Sequence, residues 1–409
     1  MEPNHPLVRA WFDATADNDK GAMETLLARG VSIDVRSFGG YTALFTAALR
    51  GNISLMDWLV SLGADPKVGH PLGLTLAHLA NQGDGGVAMW ALDHGVDPSA
   101  HDGSGETPLI VASHNDKPDL VKRLLAMGVD VNDVDKNNKT ALSHAAFALS
   151  DEVVSLLLAH GADLEIVGLE GDGTLHEALA RPATAAILLE HGANPDALDR
   201  QGRTPLMHAL ERFGEGPAVD LMLEAAKDIN YANEEGISAV MIVARQDSAE
   251  LLARLAQKGA DLNAVDKNQR SVLEAAITGG NRQTAEALVA HGVDIHRLGH
   301  RGRTLVMHAV WDGQEELALW AIDQGVNHSR ADDIGKTPLL VAAEADYPRL
   351  VARLLALGED PELSNRDGIS PKDVAKGASL DLIRVHVDHA ALQGETSKAT
   401  SATPRNSRM

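Results

Sequence analysis

Apolar residues along this chain fall into paired short patterns of helical spacing. Leu120, Val121, Leu124 and Leu125 share one face of a helix read over Leu120 to Met127, and a shorter helical pattern around Ala112 to Asn115 precedes it. The second helix of each pair closes on Gly-Ala/Val-Asp or a near copy: Gly63-Ala64-Asp65, Gly95-Val96-Asp97, Gly128-Val129-Asp130, Gly161-Ala162-Asp163, Gly192-Ala193-Asn194, Gly259-Ala260-Asp261, Gly292-Val293-Asp294, Gly325-Val326-Asn327 and Gly358-Glu359-Asp360. The glycines stand mostly 33 residues apart, with 31 and 32 as exceptions. The gap of 67 from Gly192 to Gly259 hides one unit whose glycine is lost, near Lys227-Asp228-Ile229-Asn230. A second signature, Gly-x-Thr-Pro-Leu, keeps step with the first at Thr107-Pro108-Leu109, Thr204-Pro205-Leu206 and Thr337-Pro338-Leu339, with looser copies from Thr42, Thr75, Thr140, Thr174, Ser238, Ser271, Thr304 and Ser370. Thr or Ser before Pro is an N-cap followed by Pro at the first helical position. Gly at the far end suits a left-handed helix stop. One such pair cannot bury its apolar face alone, so neighbours must stack into a continuous core.

A period near 33 carrying this tag resembles the ankyrin repeat, and the resemblance runs from about Pro6 to Ala390. It implies an all-α solenoid of about eleven to twelve stacked helix-turn-helix units with hairpin-like loops. Residues 1–35 are expected to form an N-terminal capping pair, 36–369 the repeat array and 370–391 the C-terminal capping helices. Residues 392–409, rich in Ser, Thr and small side chains, are expected to be a disordered tail. Two mid-chain units break the pattern: the unit at Thr174 is short, with Arg181-Pro182 between its helices, and the unit at Thr204 carries an added Gly214-Glu215-Gly216-Pro217. A kink or altered curvature is expected there, with simple drift as the alternative. A block at roughly 73–138 reappears at 302–368: Trp90-Ala91-Leu92-Asp93 matches Trp320-Ala321-Ile322-Asp323, and Thr107-Pro108-Leu109 matches Thr337-Pro338-Leu339. Growth by copying is the simplest meaning.

Composition then narrows the function. The formal net charge of -22 disfavours nucleic acid as a partner. The absence of cysteine removes disulfides, thiolate nucleophiles and thiolate metal sites. No signal peptide or membrane span is read, so a cytoplasmic protein is expected, and the abundance of Ala, Asp and Gly suggests a bacterial source. Chemical motifs fail on inspection. Gly335-Lys336-Thr337 ends like a phosphate loop, but Arg330 stands where a glycine is required. Gly171-Asp172-Gly173 starts a dinucleotide-like pattern that His176 breaks, and Asp133, Asp135 and Asn137 open a calcium-like loop that Asn138 and His144 break. The 18 histidines mostly occupy repeat slots. His78, His144, His176, His208 and His308 sit at or beside the fourth position of the Thr-Pro-Leu-His tag, which the resemblance makes structural. His94, His160, His191 and His291 precede the helix-ending glycine, beside open carbonyls. His386 and His389 lack further ligands. No catalytic residue, metal or cofactor is therefore expected.

The resemblance also says where such arrays bind: the hairpin tips and the end of each first helix. Here those positions include Phe38, Tyr41, Leu72, Leu74, Lys136, Lys139, Phe147, Arg200, Arg203, Arg212, Arg245, Lys267, Arg270, His300, Arg301, Arg303, Trp311 and Lys336. Lys and Arg slightly outnumber Asp and Glu at these positions, so the concave face is expected to be less negative than the rest. The expected partner is a protein with an acidic patch, docked near Arg200–Arg303 with Trp311 as anchor. The chain is expected to be non-enzymatic and monomeric by itself. An interaction scaffold or adaptor is the leading reading. The alternatives are an inhibitor or immunity-type protein that masks a toxin or enzyme, and an effector delivered into a host cell.

Overall fold

A computed structural model describes residues 2–401 other than Asn4, Asn81 and Glu170. Every regular element among them is a helix; β-pairing is limited to isolated bridges at three hairpin bases, Val134 with Thr140, Ala232 with Ser238 and Val265 with Ser271.

The unit around Thr107 shows how sequence makes each pair. The Thr107 hydroxyl accepts from the Ile110 amide at 3.3 Å, and Pro108 fills the first position of the helix Pro108–His114, where its missing N–H costs nothing. Asp116, at φ 51°, turns the chain. Pro118 opens the second helix, Pro118–Ala126. Its Leu120, Val121, Leu124 and Leu125 are all buried, as the 3.6-residue spacing requires. Gly128 then ends the pair at φ 79°, with no atom within 4 Å of where a Cβ would stand. The left-handed backbone, not lack of room, selects glycine there. The same hydroxyl cap recurs at Thr42, Thr140, Thr304 and Thr337. The expected histidine stops are equally regular: Nδ1 of His94, His160, His191 and His291 lies 2.8 Å from the carbonyl four residues earlier.

The chain divides into two compact units, one of Met1–Ala209 with Gly216–Lys227, the other of Leu210–Glu215 with Asp228–Met409. The division falls in the repeat that carries the added Gly214–Pro217. The neighbouring short unit has a first helix of only five residues, Thr174–Ala178, before Pro182 starts its second. The first unit opens with the helices Pro6–Asp17 and Lys20–Ala28. Its Trp11 is fully buried.

The second unit closes with the four-residue helix Pro371–Val374 and a long one, Gly377–Ser401. Helical backbone thus extends past residue 391, over ten of the residues expected to be a disordered tail. Ala, Leu, Gln, Glu and Lys between Ala390 and Ala399 are good helix formers, and no proline interrupts them before Pro404. Residues 402–409, with Arg405 and Arg408, lie outside the described residues.

The copied block keeps its contacts. Trp90 and Trp320 are both buried on their second helices, and Asp93–Arg123 and Asp323–Arg353 form ion pairs of 3.0 Å each. Both pairs are 30 residues apart in sequence and link the second helices of successive repeats.

Candidate functional site

The hairpin tips are built by one recurring device. An Asp or Asn at the start of the tip accepts two backbone N–H bonds through a single oxygen: Asp102 from Ser104 and Glu106, Asp135 from Asn137 and Lys139, Asp199 from Gln201 and Arg203, Asp266 from Asn268 and Arg270. Asp332 does the same for Ile334 and Lys336. This closes the tip as an Asx-type turn and leaves the second carboxylate oxygen for other groups. That oxygen binds His144 in the case of Asp135, at 3.1 Å, and the Arg203 and Arg270 Nε atoms in the cases of Asp199 and Asp266, at 2.7 and 2.9 Å. Burial alone would raise the Asp135 and Asp199 carboxyls. The bonds to backbone amides and to His144 or Arg203 outweigh it, and both stay below the ordinary carboxylate value.

Many of the expected binding cations are therefore engaged within their own unit. Lys139 meets Glu177 at 2.6 Å, Lys336 meets Glu344 at 2.7 Å, and Lys267 pairs with Glu235. Lys136 donates to the Gly103 carbonyl at 2.7 Å, and Arg212 lies over the Phe213 ring. Arg200, Arg245 and Arg301 are exposed and have no side-chain hydrogen bond or ion pair among the described residues. The tips bring charge out but neutralise much of it locally. The sequence carried the signal for this in the four-residue spacing of Asp199 with Arg203 and Asp266 with Arg270.

The apolar candidates sort differently. Phe38 and Leu72 stand 86% and 69% exposed on their tips. Tyr41 does not; its ring packs on Phe45 and on His70, at centroid distances of 5.5 and 4.6 Å. Leu74 is half-buried. Phe147 and Trp311, each the last residue of a first helix, are 62% and 40% exposed.

Those two aromatics mark two grooves of the same design, one in each unit. In the first unit a groove of about 320 Å³ is lined by Glu106, His114, Asp135, Lys139, His144 and Phe147 among others. In the second a groove of about 390 Å³ is lined by Asn268, Arg270, Thr278, His300, Arg303, His308, Trp311 and Asp312. Glu106, His114, Lys139, His144 and Phe147 correspond, 164 residues on, to Arg270, Thr278, Arg303, His308 and Trp311. Each groove thus has an aromatic wall, a cation over it and a half-buried histidine paired with a buried acid. Lys139 Nζ is 6.0 Å from the Phe147 ring centre, and the Arg303 guanidinium is 3.9 Å from that of Trp311. The polarity differs: Glu106 in the first groove is replaced by Arg270 in the second.

In the first groove, ligand atoms of Glu106, Asp135 and His144 lie within 4.8 Å of one another, close enough to hold a metal ion. The Asp135–His144 contact has a more general explanation, since acid pairs to the same histidine slot occur at Asp199–His208 and Glu274–His308, 3.7 and 2.8 Å. It ties the tip to the first helix. The His78 and His176 rings make the equivalent tie to backbone, at 3.0 and 3.2 Å from the Glu106 and Arg203 carbonyls. These are the structural roles expected of the slot.

Comparison with known proteins places these features. A model described as ankyrin repeats in three copies matches residues 74–168 and 212–299, and a single ankyrin-repeat model matches 39–68; together they span about half of the chain. Among curated relatives, the nuclear factor NF-kappa-B p105 subunit of Gallus gallus is 28% identical over 44% of this chain and 15% of its own length. The B-cell lymphoma 3 protein homolog of Mus musculus is 32% identical over 27% and 25%. A putative ankyrin repeat protein of Pyrobaculum aerophilum is 38% identical over 20% and 32%. The chain spans a third or less of the length of these relatives. A solved structure of a predatory endopeptidase from Bdellovibrio bacteriovorus in complex with an immunity protein contains a chain that is 30% identical, covering 44% of this chain and 96% of its own, at a TM-score of 0.41. No described helix is long and apolar enough to cross a membrane.

Proposed function

Since this chain belongs to the ankyrin-repeat family, whose repeats are protein-interaction modules, we propose that it is a non-enzymatic scaffold or adaptor that holds a protein partner with its hairpin tips and first-helix ends. The observation that carries this reading is the set of large apolar side chains left in water at those positions: Phe38, Leu72, Phe147 and Trp311. Second-helix ends also leave Leu62, Met127 and Leu357 about as exposed as Trp311, so the reading leans on Phe38, Leu72 and Phe147, which are more exposed than these and stand on the tips and a first-helix end. Aromatic and Arg side chains are the usual anchors of protein interfaces. Exposed Arg200, Arg245 and Arg301 beside them favour a partner that offers acidic groups. The cysteine-free composition is compatible with a cytoplasmic setting, where the chain acts as a monomer until its partner binds.

The test is affinity capture with the full chain as bait, comparing wild type with Phe38→Ala/Leu72→Ala, Phe147→Ala and Trp311→Ala/Arg301→Glu. All these side chains are exposed, so circular dichroism should be unchanged. A partner kept by wild type and lost by at least one variant supports the reading. Retention by all three variants moves the interface elsewhere, and an active enzyme in the purified chain ends it.

A further inference from the structure

We propose that the groove of the second unit is a carboxylate-binding well, in which Arg303 and the Trp311 ring receive an Asp or Glu side chain from an acidic segment of the protein partner. The inference rests on the protein-binding reading above and specifies its chemistry.

Five repeats place a cation directly before the N-cap Thr or Ser: Lys139, Arg203, Arg270, Arg303 and Lys336. Four of them meet a carboxylate of their own unit, Glu177, Asp199, Asp266 and Glu344. Arg303 meets none among the described residues. The reason is local. Arg203 and Arg270 are neutralised by the acid four residues earlier, at the start of the tip. In the repeat of Arg303 that position is Gly299. The space an acid would take is filled from the preceding repeat by Glu274, whose Oε1 lies 1.9 Å from where a Gly299 Cβ would stand. Glu274 is itself committed, to His308 at 2.8 Å and to the Ser271 amide at 2.7 Å.

The guanidinium so released lies over Trp311, and its Nε is buried without an acceptor. A buried donor left without a partner is costly, and no internal acceptor compensates this guanidinium; the part of Arg303 that lines the groove is what a ligand oxygen would meet. The surroundings favour an anion. Arg270 and His300 line the same groove. The acid at its rim, Asp312, already accepts from the Thr278 hydroxyl at 2.7 Å. A planar guanidinium held flat on an indole presents its edge to a carboxylate in a fixed direction. The first-unit groove, with Glu106 in place of Arg270 and Lys139 already paired, lacks this free cation and serves as the internal control.

The full chain labelled with 5-fluorotryptophan gives one fluorine resonance for each of its five tryptophans, and Trp311→Phe assigns the one that reports on the well. The probes are N-acetyl-Ala-Glu-Ala-amide, its Gln counterpart and inorganic phosphate. The expected result is a saturable shift of the Trp311 resonance with the Glu peptide, none with the Gln peptide, and binding weakened roughly tenfold or more by Arg303→Gln (about 1.4 kcal/mol). Lys139→Gln should leave the titration unchanged. The four other resonances show that Arg303→Gln remains folded. No shift, equal shifts with Glu and Gln peptides, a response to phosphate alone, or a titration unaffected by Arg303→Gln would each overturn the well. Affinity capture that still depends on Phe38, Leu72 or Phe147 would then leave the interaction reading standing without this site.

Discussion

At the scale of single residues, two glycines separate backbone strain from crowding. Gly292 has φ 85° and open space around its missing Cβ, so Gly292→Ala meets only the left-handed penalty. A loss of about 1 kcal/mol in urea unfolding is expected from that term alone. Gly299→Ala should cost more, because its methyl would displace Glu274 from His308. The order of the two values is the check. Histidine titration gives a second prediction. Burial lowers the pKa of His78 and of His176, against the bonds to the Glu106 and Arg203 carbonyls that favour the charged ring. The unfolded chain then binds more protons below the ordinary histidine value of about 6.5, so stability is full above it and falls as the pH drops toward the folded values. The melting temperature should decline between pH of about 7.5 and 5.5, and His78→Gln/His176→Gln should decline less over the same window. Depressed carboxyls such as Glu274, Asp135 and Asp199 act in a separate, more acidic window: their stabilisation is present above the ordinary carboxylate value and is lost as the pH falls below it.

At the scale of the helix pair, stability resides in the face that stacks on the neighbouring pairs. Leu124 is fully buried, and Leu124→Ala should cost about 2–5 kcal/mol through lost burial and the cavity left behind. Met127, one turn later and 41% exposed, should change stability by no more than about 0.5 kcal/mol when truncated to Ala. Because each repeat touches only its neighbours, the damage should also be local. In Leu124→Ala, amide exchange should quicken over the helices Pro108–His114 to Asp151–Ala159 and much less over Pro6–Ala28 of the same unit. Uniform acceleration along the unit would contradict nearest-neighbour stacking.

At the scale of the whole molecule, the excess of 58 acidic over 36 basic residues dominates. Like charges repel most in the compact state, and salt screens that repulsion within a Debye length of about 10 Å at 0.1 M. Raising the salt from low to moderate concentration should therefore raise the melting temperature. The ion pairs at the tips oppose this trend, but most are exposed and contribute little each. A melting temperature that falls with salt would mean that the pairs outweigh the net charge.

Sequence alone was enough for the repeat, its period, the Thr caps, the helix-ending glycines and the histidine stops. Each of these is a local rule acting within a few residues, repeated often enough to be unmistakable. The tag positions likewise located the tips and first-helix ends where Phe38, Leu72, Phe147 and Trp311 stand exposed. What those rules do not determine is which polar side chains find each other between repeats. That Tyr41 turns onto His70, that Lys139 reaches Glu177 and that Glu274 fills the space beside Gly299 are decided by stacking, which brings together groups 25 to 38 residues apart. The division of the chain into two compact units is also a property of the fold, though the sequence marks its place by the added Gly214–Pro217. Arg203, Arg270 and Arg303 look alike as letters before a Thr or Ser. The acid four residues before Arg203 and Arg270, and Gly299 in its place before Arg303, hint at the difference. That Glu274 occupies the space beside Gly299 without reaching Arg303 is decided only in the packed structure, because charge pairing depends on where an oxygen lies in space.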